Sequence, residues 1–156
     1  MKISAKPRQA VEGPAIALLL PTRGNPTIET VQCLQNMDGY RTAILPAARM
    51  DVVKARNKLA SDVKKICEKA PFIPKGGWLA LWVDDDAFWR PGTVKQLVTK
   101  LLDDKDIDVI AGWFSGRSAF SNPKAFYANG NWPSIGQDCQ VGDVVEVARV
   151  GFHFVL

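Results

Sequence analysis

The chain has 156 residues, enough for one sizeable core, and its 47% hydrophobic and 23% charged content is that of a globular domain rather than a disordered tail. Twenty Lys+Arg against sixteen Asp+Glu give a net charge of +4, with the basic residues scattered rather than gathered into a phosphate-tracking run, so nucleic acid is not an expected partner. Cys33, Cys67 and Cys139 stand far apart with no CxxC pair, which argues against a zinc site or disulfide framework and for small buried or half-buried thiols in a reducing, cytoplasmic compartment.

The first apolar run, residues 15–20, is far too short to span a membrane. Lys2, Lys6 and Arg8 precede it as in a signal peptide, but Pro14 and Pro21 bracket it and no small-residue cleavage site follows, so it reads as a buried strand. Pro21-Thr22-Arg23-Gly24 is turn-like. Asn25-Pro26 then predicts a helix start, with Ile28, Val31 and Leu34 as the apolar face and Asp38-Gly39 as the end. Residues 41–45 predict a second strand, and 51–69 the clearest helix. Residues 78–83 predict a third strand, apolar throughout as in a sheet covered on both faces. A helix follows from Thr93 with Val94, Leu97, Val98 and Leu101 at i, i+3, i+4 and i+7.

Residues 107–111 predict a fourth strand, 112–142 an irregular aromatic-rich segment, and 144–156 a closing strand. Strands alternating with helices predict an α/β fold with a mostly parallel, doubly wound sheet in a single domain over 1–156. The apolar end at Leu156 suggests a piece of a longer protein.

The strongest chemical signal is Asp84-Asp85-Asp86, directly after the third strand. Open α/β sheets bind ligands beyond the carboxyl ends of their strands. Alternation along the chain lets Asp84 and Asp86 converge while Asp85 points elsewhere. A hard divalent cation, magnesium or manganese, would relieve the repulsion and complete its shell with water and substrate phosphate. The bland alternative is a solvated turn with one Asp capping the next helix.

Arg56 is the second signal, because on a helical wheel it falls about 40° from Val52, inside the apolar stripe, whereas Lys54, Lys58, Lys65 and Lys69 fall opposite. It requires an anion, a carbonyl or a stacked ring, or else it snorkels toward a core carboxylate. The turn at Pro21–Gly24 is a third place where backbone N–H groups can meet a nucleotide. It is neither a G-x-G-x-x-G nor a P-loop sequence, which excludes those two classes of site. His153 is the only histidine, and with no paired nucleophile a hydrolase triad has no support.

Taken together, LLLPTRGNP (18–26), VVKARNKLA (52–60), LWVDDDAFWRPGTVKQLV (81–98) and VARVGFHFVL (147–156) resemble the nucleotide-sugar glycosyltransferases of the GT-A fold, the large inverting family-two-like group included. That resemblance implies a three-layer Rossmann-like architecture with helices on both faces of the sheet. It implies base and ribose contacts from Pro21, Thr22, Arg23 and Arg56. It also implies a DxD pair, Asp84 and Asp86, holding manganese or magnesium against the diphosphate of a UDP- or GDP-linked sugar. Asp85 would touch the ribose or donor sugar, and His153 would be a further metal ligand. Inverting members deprotonate the acceptor with a carboxylate; Asp138 and Asp143 are the nearest candidates. The family usually continues past the point where this chain stops, so its C-terminal, acceptor-binding part is expected to be missing. Other classes that place acids after strands are a metal-dependent nucleotidyltransferase, a Toprim-like phosphate-transfer or nuclease domain, and a non-catalytic nucleotide-binding domain.

Overall fold

The computed structural model describes residues 8–112, 125–126, 144–150 and 154–156. Among these the chain runs β1 (Gln9–Val11), β2 (Ala15–Thr22), α1 (Ile28–Gln35), β3 (Thr42–Ala48), α2 (Val52–Lys69), β4 (Phe72–Pro74), β5 (Trp78–Val83), α3 (Thr93–Asp103), β6 (Ala125–Phe126), β7 (Arg149–Val150) and β8 (Phe154–Val155). The main sheet has the order β3-β2-β5-β8, with β2 parallel to both β3 and β5 and with β8 antiparallel on the far side of β5. β1 and β4 make a separate parallel pair, and β6 and β7 an antiparallel one. The molecule is therefore mixed α/β with parallel strands, as the alternating pattern predicts.

β2 is the central strand, and all eight of its residues are buried. Ile16, Leu18 and Leu20 pack in one cluster with Leu81 and Val83 of β5 and with Val94, Leu97 and Val98 of α3. Leu19 packs in a second cluster with Leu45 and Ala47 of β3 and with Ala55 and Leu59 of α2. Neighbouring strand residues point to opposite faces, so the two clusters take alternate sides of β2. β5 is less enclosed than its apolar sequence suggests, because Leu81 and Val83 are buried while Ala80 is exposed.

The two long helices follow the sequence pattern closely. In α2 the Asp51 carboxylate caps the start by accepting from the Val53 and Lys54 amides, and Lys54, Lys58, Lys65 and Lys69 are exposed. The buried pair is Ala55 and Leu59, whereas Val52, the reference point of the apolar stripe, is exposed. α3 buries Val94, Leu97 and Val98 as predicted.

α3 begins at Gly92, which has no side chain to cap it, and Asp38 from the α1–β3 turn does so from a distance. Its two carboxylate oxygens accept from the Gly92 amide at 2.8 Å and the Lys95 amide at 3.0 Å. Asp38→Ala should therefore cost about 1 kcal/mol, the usual effect of a lost cap. That corresponds to a fall in Tm of about 2–4 °C for a chain of this size. An unchanged melting curve would show the cap to be idle.

Other expectations are corrected. The cap of α1 is Thr27, which accepts from the Thr30 amide, rather than Asn25, and the helix ends at Gln35, ahead of Asp38-Gly39. Its expected apolar face holds only at Leu34, which packs against the main core cluster: Ile28 is 74% exposed and Val31 39%, while Thr30 is completely buried. The inner side of α1 meets backbone carbonyls of the loop after β5, so a hydroxyl is needed there instead of a methyl group.

Residues 107–111 form no strand. Ile110 exchanges both backbone hydrogen bonds with Leu156 at 2.8 Å, and Ala111 bridges Val155, so among the described residues this segment meets β8 through an isolated bridge rather than as a strand. Likewise residues 144–148 are not strand, and β7 and β8 are all that is extended in the described part of 144–156. Nearly all of the aromatic-rich segment lies outside the described residues.

Candidate functional site

The acidic turn owes its position to a proline. In β2 the Ile16 amide donates to Arg41, toward β3, while the Ala15 amide donates to Gly77, toward β5. Odd-numbered amides of β2 thus face β5, and pairing with β5 ends at Leu19 against Trp82. The next odd residue is Pro21, which has no N–H to offer. β2 continues beside β3 as far as Thr22 opposite Ala48. β5 is thereby released at Val83, and Asp84-Asp85-Asp86 turns across the end of β2. Because β2, β3 and β5 are parallel, the connections after all three leave at one edge, and the chain crosses from one side of β2 to the other there. This is the place where open α/β sheets carry their ligands.

Two turns are joined at this edge. Asp85 Oδ2 accepts from the Thr22 hydroxyl and from the Arg23 amide, both at 2.9 Å. The Thr22 oxygen in turn accepts from the Gly24 amide at 2.9 Å, in a bend where Gly24 has φ of 113°, a conformation that favours glycine. The Asp85 carbonyl accepts from the Thr27 amide at 2.9 Å and from the Thr30 hydroxyl at 3.1 Å. The Thr30 hydroxyl also reaches the Ala87 carbonyl at 2.7 Å. Further along, the Cys33 thiol donates to the Trp89 carbonyl at 3.2 Å and accepts from the Trp89 amide at 3.3 Å. α1 is therefore stapled along its length to the segment that follows β5.

Arg56 reaches the same edge from α2. Its Nη2 lies 3.0 Å from Asp84 Oδ1, with the two side chains 32% and 18% exposed. The arginine singled out as misplaced on its helix thus meets one of the three acids singled out after β5. It is paired with a carboxylate, as the snorkelling alternative supposed, and that carboxylate is itself a candidate site residue. Arg23 and Arg49 are exposed at this edge, and the Arg49 amide donates to the Thr22 carbonyl at 3.2 Å. Asp86 is exposed at the tip of the turn.

The structure thus brings together Pro21, Thr22, Arg23, Arg56, Asp84, Asp85 and Asp86. Asp138, Asp143 and His153 lie outside the described residues. Among the described residues no group of three or more His, Cys, Asp or Glu side chains is arranged to hold a metal ion. The donors at this edge are hard carboxylate oxygens. They suit a magnesium- or manganese-like ion that takes one or two carboxylates and fills its shell with water and phosphate oxygen.

Sequence reasoning missed Thr27 and Thr30. The visible signal was a pair of hydroxyls three residues apart at a helix start, the spacing that ties a helix cap to its first turn.

A cleft of about 510 Å³ lies at the opposite edge, lined by residues 9–14 and 38–41. Its charged groups already have structural partners: Asp38 caps α3, Glu12 pairs with Lys75, and the Arg41 guanidinium lies 5.9 Å from the centre of the Phe72 ring. Burial, and secondarily the charge of Asp38, push the Tyr40 phenol above its ordinary range and keep it neutral. The cleft has volume but sits where β2 and β3 begin, away from the acidic turn.

No protein-family model, curated protein or solved structure matches the chain. No helix among the described residues is long and apolar enough to cross a membrane.

Proposed function

We propose that the chain is a metal-dependent glycosyltransferase of the GT-A type, or the donor-binding domain of one, with three layers around its sheet, taking a UDP- or GDP-linked sugar. The observation that carries this reading is the hydrogen-bonded union of the turn after β2 with the acidic turn after β5, at the crossover edge of a parallel sheet.

In this reading Asp84 and Asp86 hold a magnesium or manganese ion, and Arg56 fixes the Asp84 carboxylate from α2. Pro21, Thr22 and Arg23 border the base and ribose, with the Arg23 guanidinium in solvent and able to reach an anion. The bound cation supplies charge stabilisation for the departing nucleoside diphosphate. The acceptor is a hydroxyl, for which Asp138 and Asp143 are the candidate bases, and His153 is a candidate further ligand. The free thiols of Cys33 and Cys67 suit a cytoplasmic setting.

A thermal-shift panel of nucleoside diphosphates with and without manganese tests the reading. UDP or GDP with manganese should raise the Tm more than either component alone. No stabilisation by any nucleoside diphosphate would refute it.

A further inference from the structure

Resting on the donor-site reading, the geometry points to Asp85 as a positioning residue that couples the two turns through one acceptor oxygen, with Thr30 pinning the backbone on both sides of Asp86. Both bonds received by the Asp85 carboxylate end on the same atom, Oδ2. One oxygen in that place satisfies the Thr22 hydroxyl and the Arg23 amide together. A carboxamide carries such an oxygen, so the coupling needs an acceptor and not a negative charge.

The main chain of Asp85 serves α1 at the same time. Its carbonyl takes the Thr27 amide, and the Thr30 hydroxyl shares its single proton between that carbonyl and the carbonyl of Ala87. These two carbonyls flank Asp86. Thr30 is fully buried, so no water competes for the position. Asp86 is thus an exposed carboxylate on a backbone held before and after it, which is how a binding group is fixed in place before its ligand arrives. Asp85 and Thr30 act through Asp86 and the β2 turn rather than by touching donor.

The test compares Asp85→Asn, Asp85→Ala, Thr30→Ser and Thr30→Val in the whole chain, by amide hydrogen exchange and by binding of manganese with UDP or GDP. Asp85→Asn should keep the exchange protection of the Arg23 amide within about threefold, whereas Asp85→Ala should lose about tenfold or more. Thr30→Val should lose protection at the Thr27 amide, and Thr30→Ser should restore it. Nucleotide affinity should follow the same order, with Asp85→Asn near wild type.

An Asp85→Asn variant as impaired as Asp85→Ala in both readouts would show that the charge is what is used, and would overturn the positioning role. Equal exchange in all variants would overturn it too. If the wild type binds no nucleotide, the donor reading fails while the exchange pattern still decides the role of Asp85. If Asp85→Ala does not fold, Thr22→Val, which removes one of the two donors to Oδ2, takes its place in the exchange comparison.

Discussion

Asp86→Ala should abolish the stabilisation that manganese and UDP or GDP confer together, while leaving the unliganded melting temperature nearly unchanged. Asp86 is exposed on a turn, and losing a solvent-exposed polar or ionic interaction at such a position typically changes stability by no more than about 1 kcal/mol. Ligand bound at one hundred times its Kd stabilises by about 2.7 kcal/mol. For a chain of this length that is a rise in Tm of about 5–10 °C, well above the error of a melting curve. The variant should therefore melt close to wild type when unliganded and show no rise with ligand. A full rise in the variant would remove Asp86 from the metal site, and a markedly lowered unliganded Tm would mean that the carboxylate serves the fold.

Leu81→Ala should have the largest effect on stability. Leu81 is fully buried in the middle of β5, opposite Leu18 of β2, and packs in the cluster that includes Val94 and Val98 of α3. Truncating a leucine in such a site removes burial and leaves a cavity, at a cost of about 2–5 kcal/mol. Chemical denaturation should show a midpoint shifted by that amount with little change in slope. The adjacent Ala80 is exposed, so Ala80→Ser should stay within about 0.5 kcal/mol, and the contrast between neighbours reads out the alternation of the strand. Equal losses at both positions would mean that β5 is enclosed on both faces.

Legibility in the sequence follows the range of the forces involved. The β2 and β5 strands and the α2 and α3 helices are set by local apolar spacing, and their bounds emerged within a few residues. The acidic turn and Arg56 were visible because each breaks a pattern, three adjacent acids after an apolar strand and one cation on an apolar stripe. Their pairing, across 28 residues, was not.

Thr30 and Asp38 were hidden for the same reason. Each acts on a partner more than fifty residues away, Thr30 on Ala87 and Asp38 on Gly92, and neither spacing leaves a periodic trace. The apolar face assigned to α1 held at Leu34, which meets the core, and failed at Ile28 and Val31, because around Thr30 the helix packs on backbone carbonyls, a surface that hydrophobic spacing does not describe. The strand expected at 107–111 is reduced to a bridge from Ala111 to Val155, because a strand is defined by pairing with a neighbour and not by its own apolar pattern alone.

Paramagnetic broadening by manganese, read residue by residue in an amide NMR spectrum with UDP or GDP present, tests the location of the donor site most directly. The Thr22, Arg23 and Gly24 signals and those of Asp84, Asp85, Asp86 and Ala87 should broaden at substoichiometric manganese, while those of Gly39, Tyr40 and Arg41 stay sharp. Broadening centred on the 9–14 and 38–41 cleft, or none at the acidic turn, would contradict the proposed donor site.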